Sequence, residues 1–185
     1  MAASPFHISL IDLPRQEGNV IFYDVQLDAP SDMRLEMVRI PEGSPLDISL
    51  TLSSVSEGVY VSGSVTAHMQ GLCSRCLREL SADIREDIAE LVYYPERVVA
   101  MRENGDEEAE ECYVVTDERI DIEPIIRDAL VLALPFGPLC SPDCAGLCPD
   151  CGERLDDLPQ DHAHEPVYDS RFDALAALEE ELRKG

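Results

Sequence analysis

No stretch of this chain approaches the roughly eighteen uninterrupted apolar residues that carry a helix across a bilayer. The opening Met1-Ala2-Ala3-Ser4-Pro5-Phe6-His7 has neither the basic flank nor the apolar run of an export signal. The expectation is a soluble cytoplasmic protein with no membrane contact. Positive charge is scarce: 14 Lys and Arg stand against 38 Asp and Glu, a net −24. Such a surface repels phosphate backbones and anionic lipid, and suits either a basic partner such as a ribosomal protein or only solubility. Catalytic signatures are missing as well. There is no His-Glu-x-x-His, no glycine-rich phosphate loop and no Gly-x-Ser-x-Gly elbow. Cys148-Pro149-Asp150-Cys151 looks like half of the nucleobase deaminase signature, but the His-x-Glu that must precede it is absent. No internal repeat is apparent.

At 185 residues, the chain has room for one ordinary domain with an appendage. Leu46, Ile48, Leu50 and Leu52 alternate with Asp47, Ser49, Thr51 and Ser53, the period of a strand with one buried face. After a turn at Ser56-Glu57-Gly58, Val59, Val61, Gly63, Val65, Ala67 and Met69 repeat the pattern, predicting a hairpin. His68 falls on its polar face and reads as exposed. Val20 to Leu27 predicts a further strand. Leu77 to Tyr94 fits both periods and is taken as a long strand. Glu103 to Glu111 carries almost only acid and predicts a mobile loop. Cys112 to Val115 reads as a short strand. Asp121 can cap a helix with Ile122, Ile125, Ile126, Ala129, Leu130 and Leu132 on its apolar face, ended by Pro135. Asp169 to Lys184 predicts a last helix, with Phe172, Leu175, Leu178 and Leu182 on one side.

Seven cysteines in a chain without an export signal read as metal ligands rather than disulfides. Two Cys-x2-Cys pairs, Cys73/Cys76 and Cys148/Cys151, can each present two thiolates from a tight turn whose amides point at the sulfurs, and Gly152 relieves the second turn. Cys140 and Cys144 lie between them in sequence. Cys112 stands alone and reads as a buried thiol. Six cysteines plus His162 and His164 make eight ligands, two tetrahedral sets. A thiolate-rich site donates charge to its ion and makes it a poor Lewis acid, so the metal should be structural zinc, one or two ions. Cys73-Ser74-Arg75-Cys76 lacks the βαβ setting of a thioredoxin-like redox pair.

These residues resemble the YceD family, the large ribosomal RNA subunit accumulation proteins. The resemblance covers nearly the whole length. It rests on Gly71-Leu72-Cys73-Ser74-Arg75-Cys76-Leu77, on the Asp121 to Pro135 helix running into Phe136-Gly137-Pro138-Leu139-Cys140, on Cys144-Ala145-Gly146-Leu147-Cys148-Pro149-Asp150-Cys151-Gly152, and on Asp169-Ser170-Arg171-Phe172. Ser170 stands where many relatives carry proline, and Phe172 where many carry tryptophan. The resemblance implies a non-enzymatic role in large-subunit biogenesis that supports accumulation of 23S ribosomal RNA. With that role, the net charge points to a basic large-subunit protein or pre-ribosomal particle as partner. RNA contact would be sought near Arg75. The alternative is a zinc-stabilised protein-binding adaptor unrelated to ribosomes.

Some relatives keep the first cysteine pair and a pair after the helix but lack the later knuckle, which favours Cys73, Cys76, Cys140 and Cys144 as one site and Cys148, Cys151, His162 and His164 as the other. A rival joins Cys73 and Cys76 to Cys148 and Cys151. A third confines one site to Cys140 through Cys151. The expected fold is α+β: a curved antiparallel sheet with a packed helix in residues 1–139, including the acidic loop near 103–111, then a zinc-stapled segment at 140–168 and a C-terminal helix at 169–185.

Overall fold

The computed structural model describes residues 4–164. The expected helix from Asp169 to Lys184 lies outside them. By internal contacts the chain divides into two units, Met1–Cys144 and Ala145–Gly185.

The first unit is built on a five-stranded antiparallel sheet. Its elements are β2 (Val20–Asp28), β3 (Val38–Arg39), β4 (Pro45–Val55), β5 (Gly58–Leu72) and β6 (Glu79–Tyr93). β5 is the hub. One of its edges carries β4 from Gly58 to Ala67 and then β3 at Gln70 and Gly71, while the other carries β6 along its whole length. β2 flanks β4. A separate two-stranded sheet pairs β1 (His7–Ser9) with β7 (Arg119–Asp121).

The alternation in the sequence sets the faces. Leu46, Ile48, Leu50 and Leu52 are buried, as are Val59, Val61, Val65 and Ala67, and Ile21, Tyr23, Val25 and Leu27 pack against them from β2. Full burial of Leu46 or Leu52 contributes roughly 1.5–3 kcal/mol each. In β6 the two-residue period prevails, with Ile84, Ile88 and Val92 turned to the core. Gly63 has φ +151°, and a Cβ there would lie 2.0 Å from the Ser49 carbonyl oxygen, so only glycine lets β4 and β5 approach so closely.

Helix α1 (Pro95–Glu103) follows β6 and was not anticipated; its apolar side is only Val98 and Met101. These two close over Ala109, buried in a single 3-10 turn at Glu107–Glu110 within the acidic stretch. The strand expected at Cys112 to Val115 reduces to one parallel bridge between Val114 and Tyr93, made by the Tyr93 amide to the Tyr113 carbonyl and the Val115 amide to the Tyr93 carbonyl.

Helix α2 (Glu123–Ala133) packs on β6 and β5 through Ile125, Ile126 and Leu130. Asp121 does accept a hydrogen bond from the Glu123 amide at 3.0 Å, yet it belongs to β7, and Ile122 holds the cap position. Leu132, expected on the apolar face, is 80% exposed. A helix of eleven residues buries one stripe, and Leu132 lies on the opposite side, two residues from Leu130. The chain leaves α2 through Leu134 and Pro135 toward Cys140. Among the described residues, no helix is long and apolar enough to cross a membrane.

Candidate metal centres

The β5–β6 connection, residues 73–78, is a knuckle. Its first cysteine, Cys73, donates its amide to the Arg78 carbonyl at 2.8 Å, and its carbonyl accepts from the Leu77 amide at 2.9 Å. Leu77 takes a left-handed conformation, φ +56°, to close the turn. The loop after α2 is pinned to this knuckle by the Ser74 amide donating to the Pro138 carbonyl at 2.8 Å. Arg75 completes the attachment, its Nη1 donating to the Cys144 carbonyl at 3.0 Å.

These contacts bring Cys73, Cys76, Cys140 and Cys144 together with all four sulfurs within 4.8 Å of one another. Cys73 and Cys144 sulfurs are 3.8 Å apart, and Cys76 and Cys140 sulfurs 3.6 Å. A disulfide would need about 2.05 Å. A tetrahedron with metal–sulfur bonds of about 2.3 Å has edges of about 3.8 Å. Two of the sulfur pairs therefore stand at the edge length of a four-thiolate metal centre, and all four sulfurs lie close enough that they could hold one ion. Cys73, Cys76 and Cys144 are buried, and Cys140 is half-buried.

The electrostatics agree. Burial opposes ionisation of Cys73, but amide hydrogen bonds from Cys140, Cys76 and Arg75 outweigh it and hold the thiol down at about 6. Cys140 is pushed up to about 12, first by its hydrogen bonds with the Cys144 and Cys76 thiols and then by burial. One thiol in the set is poised to be a thiolate while another resists ionising beside it. A cation at the centre resolves that conflict by stabilising all four thiolates together.

The second set lies in the other unit. Cys148 donates its amide to the Glu153 carbonyl at 2.7 Å, and the Gly152 amide donates to the Cys148 carbonyl at 2.9 Å. Leu147 and Arg154 form a bridge across the turn. Cys148, Cys151, His162 and His164 bring their ligand atoms within 4.8 Å of one another. Amides of Cys151 and Asp150 hold Cys148 down at about 6 against burial. Cys151 Sγ is 3.7 Å from His162 Nε2, and the two imidazoles meet edge to face with Nε2 atoms 2.8 Å apart.

The two sets are those of the first of the three pairings considered. The remaining cysteine and the other two histidines lie elsewhere. Cys112 is half-buried beside the Val98, Met101 and Ala109 cluster, its sulfur 3.7 Å from the Ala109 carbonyl oxygen. His68 Nδ1 is 2.7 Å from Asp83 Oδ1 on the polar face of the sheet, and His7 lies 3.7 Å from Asp121. Sequence reasoning missed the roles of Ser74, Pro138 and Leu77. These are backbone roles, and their residue types announce none of them. Arg75, near which RNA contact is expected, donates to the Cys144 carbonyl.

Fold and site together define a class: an antiparallel sheet and helix carrying cysteine-rich clusters that could hold metal ions. The chain belongs to the YceD family, described as large ribosomal RNA subunit accumulation protein YceD, whose profile matches residues 61–179. That span takes in every residue of both clusters. Among curated relatives, proteins of Mycobacterium tuberculosis and Mycobacterium bovis, each named only as uncharacterized, are 39% identical over 178 residues, covering 95% of this chain and 82% of theirs. One from Mycobacterium leprae, named likewise, is 34% identical over 164 residues, covering 89% of this chain and 73% of its own. No solved structure matches the chain.

Proposed function

We propose that this protein is a non-enzymatic, zinc-binding factor of large ribosomal subunit biogenesis that supports accumulation of 23S ribosomal RNA in the cytoplasm. The observation that carries the reading is the family match over residues 61–179. Zinc is the metal that best suits four-thiolate and two-thiolate, two-imidazole donor sets. Cys73, Cys76, Cys140 and Cys144 would hold one ion, and Cys148, Cys151, His162 and His164 the other. When bound, the metal supplies a cross-link and no reaction chemistry.

The chain's own residues supply the rest. Cys76 and Cys140 are 64 positions apart, so closing the first set joins the β5–β6 turn to the segment after α2. The −24 charge suits a lysine- and arginine-rich ribosomal protein, drawing it in and shielding it from stray nucleic acid. RNA contact belongs at the first knuckle, where Arg75 lies between the cysteines and Arg78 just beyond them. Tagged protein at its native level should cosediment with large-subunit precursors and not with small-subunit particles. Sedimentation free of particles throughout growth would count against the reading.

A further inference from the structure

The two ligand sets differ in donor type, burial and the spacing of their ligand atoms. In the first, three of four cysteines are buried and the sulfurs already stand 3.6 and 3.8 Å apart. In the second, Cys148 is buried, His162 is half-buried, and Cys151 and His164 are exposed. Its two Nε2 atoms sit at a hydrogen-bonding 2.8 Å. A tetrahedral centre with metal–nitrogen bonds of about 2.0–2.1 Å would set them about 3.3–3.4 Å apart. Metal must therefore break an imidazole–imidazole contact to enter, whereas in the first set two sulfur pairs already stand at the tetrahedral edge length.

The surroundings differ in the same direction. The first set hangs on a sheet and helix with a large apolar core. Among the described residues, none of 145–164 belongs to that apolar core. Their regular structure is one 3-10 turn, Leu155–Asp157, and the Leu147–Arg154 bridge. Gly146 and Cys148 are the buried residues among them. A segment that buries so little apolar area cannot offset the entropy of its own ordering. When its ligands converge on an ion, the binding free energy becomes its folding free energy.

Resting on the metal-binding reading above, we propose that Cys148, Cys151, His162 and His164 form an exchangeable zinc site whose occupancy orders residues 145–164, while the four-cysteine set keeps its ion. Zinc supply then switches one segment without unfolding the sheet. The two sites are a permanent staple and a regulated one.

The experiment uses the full chain loaded with zinc and treated with graded chelator, with released metal measured beside amide hydrogen exchange. One equivalent should leave at chelator concentrations roughly tenfold or more below those needed for the other. Exchange should then rise in peptides from 145–164 and stay slow in β4, β5 and β6. The double variant His162→Ala/His164→Ala should lack that equivalent from the start, show fast exchange in the same peptides, and melt as the wild type does. Release of both ions together, loss of protection in the sheet alongside 145–164, or two equivalents retained by the double variant would each overturn the proposal. Two ions held equally tightly would overturn this inference alone. A chain that binds no metal would overturn the metal reading with it.

Discussion

Leu77 and Gly152 occupy the same place in two separate knuckles. Each donates its amide at 2.9 Å to the carbonyl of the knuckle's first cysteine, Cys73 or Cys148, and each has a left-handed φ, +56° and +74°. Glycine adopts that conformation freely, whereas leucine does so at a cost of about 1–2 kcal/mol.

The exchange of these residues is the first test. Leu77→Gly relieves the strain but frees the unfolded chain, so stability should change by less than about 1 kcal/mol, with full metal content. Gly152→Leu introduces strain of about 1–2 kcal/mol that a stiffer unfolded chain offsets only in part, and should weaken metal retention by residues 148–164. Calorimetry and elemental analysis of the two variants check this. A large loss in Leu77→Gly with none in Gly152→Leu would contradict the shared geometry.

Gly63→Ala probes the sheet itself. The added Cβ would meet the Ser49 carbonyl oxygen at 2.0 Å and the Leu50 Cα at 2.8 Å, both backbone atoms that cannot move aside cheaply. The expected loss is at least about 2 kcal/mol in chemical denaturation. A near-neutral result would mean that β4 and β5 do not pair in the register of Leu50 with Gly63.

Much of this fold is legible in the sequence because long strands advertise themselves. Ile48, Leu50 and Leu52 opposite Val65, Gly63 and Val61 carry the hairpin in a two-residue period that no helix shares. Helix α1 escaped notice because its nine residues bury only Val98 and Met101, a signal too weak to see beneath surrounding charge. Residue type and spacing marked out the cysteines and histidines as ligand candidates. The grouping of the first four cysteines depends on the Ser74 amide donating to the Pro138 carbonyl and the Arg75 side chain donating to the Cys144 carbonyl, contacts that link segments far apart in sequence and leave no periodic trace. Leu132 was misplaced because an apolar residue on a short helix reads as buried whichever way it faces.

Tyr113 gives a pH test away from the clusters. Burial and its 2.5 Å hydrogen bond to Asp128 raise its ionisation above the ordinary tyrosine range. The neutral phenol is favoured in the folded state, so its contribution is intact below about pH 10 and is lost as pH rises beyond that. Tyr113→Phe should flatten the alkaline part of the stability profile and cost about 0.5–1.5 kcal/mol near neutrality. An unchanged alkaline limb would contradict the assignment.

Charge sets the expected partner. A chain at −24 cannot release phosphate counterions over most of its surface, as an ordinary RNA binder does. Titrated at several salt concentrations, it should bind a basic large-subunit protein more tightly than naked ribosomal RNA, with affinity falling as salt rises. Tight RNA binding with a steep salt slope, and none to basic ribosomal proteins, would contradict this.

The most direct test joins the metal cluster to the biological role. In cells lacking the protein, the ratio of large- to small-subunit RNA is measured after complementation with wild type, Cys73→Ser or Cys112→Ser. The account predicts a lowered ratio in the deletion, restored by wild type and by Cys112→Ser, and not by Cys73→Ser, which opens the four-thiolate set. A normal ratio in the deletion, or full restoration by Cys73→Ser, would contradict it.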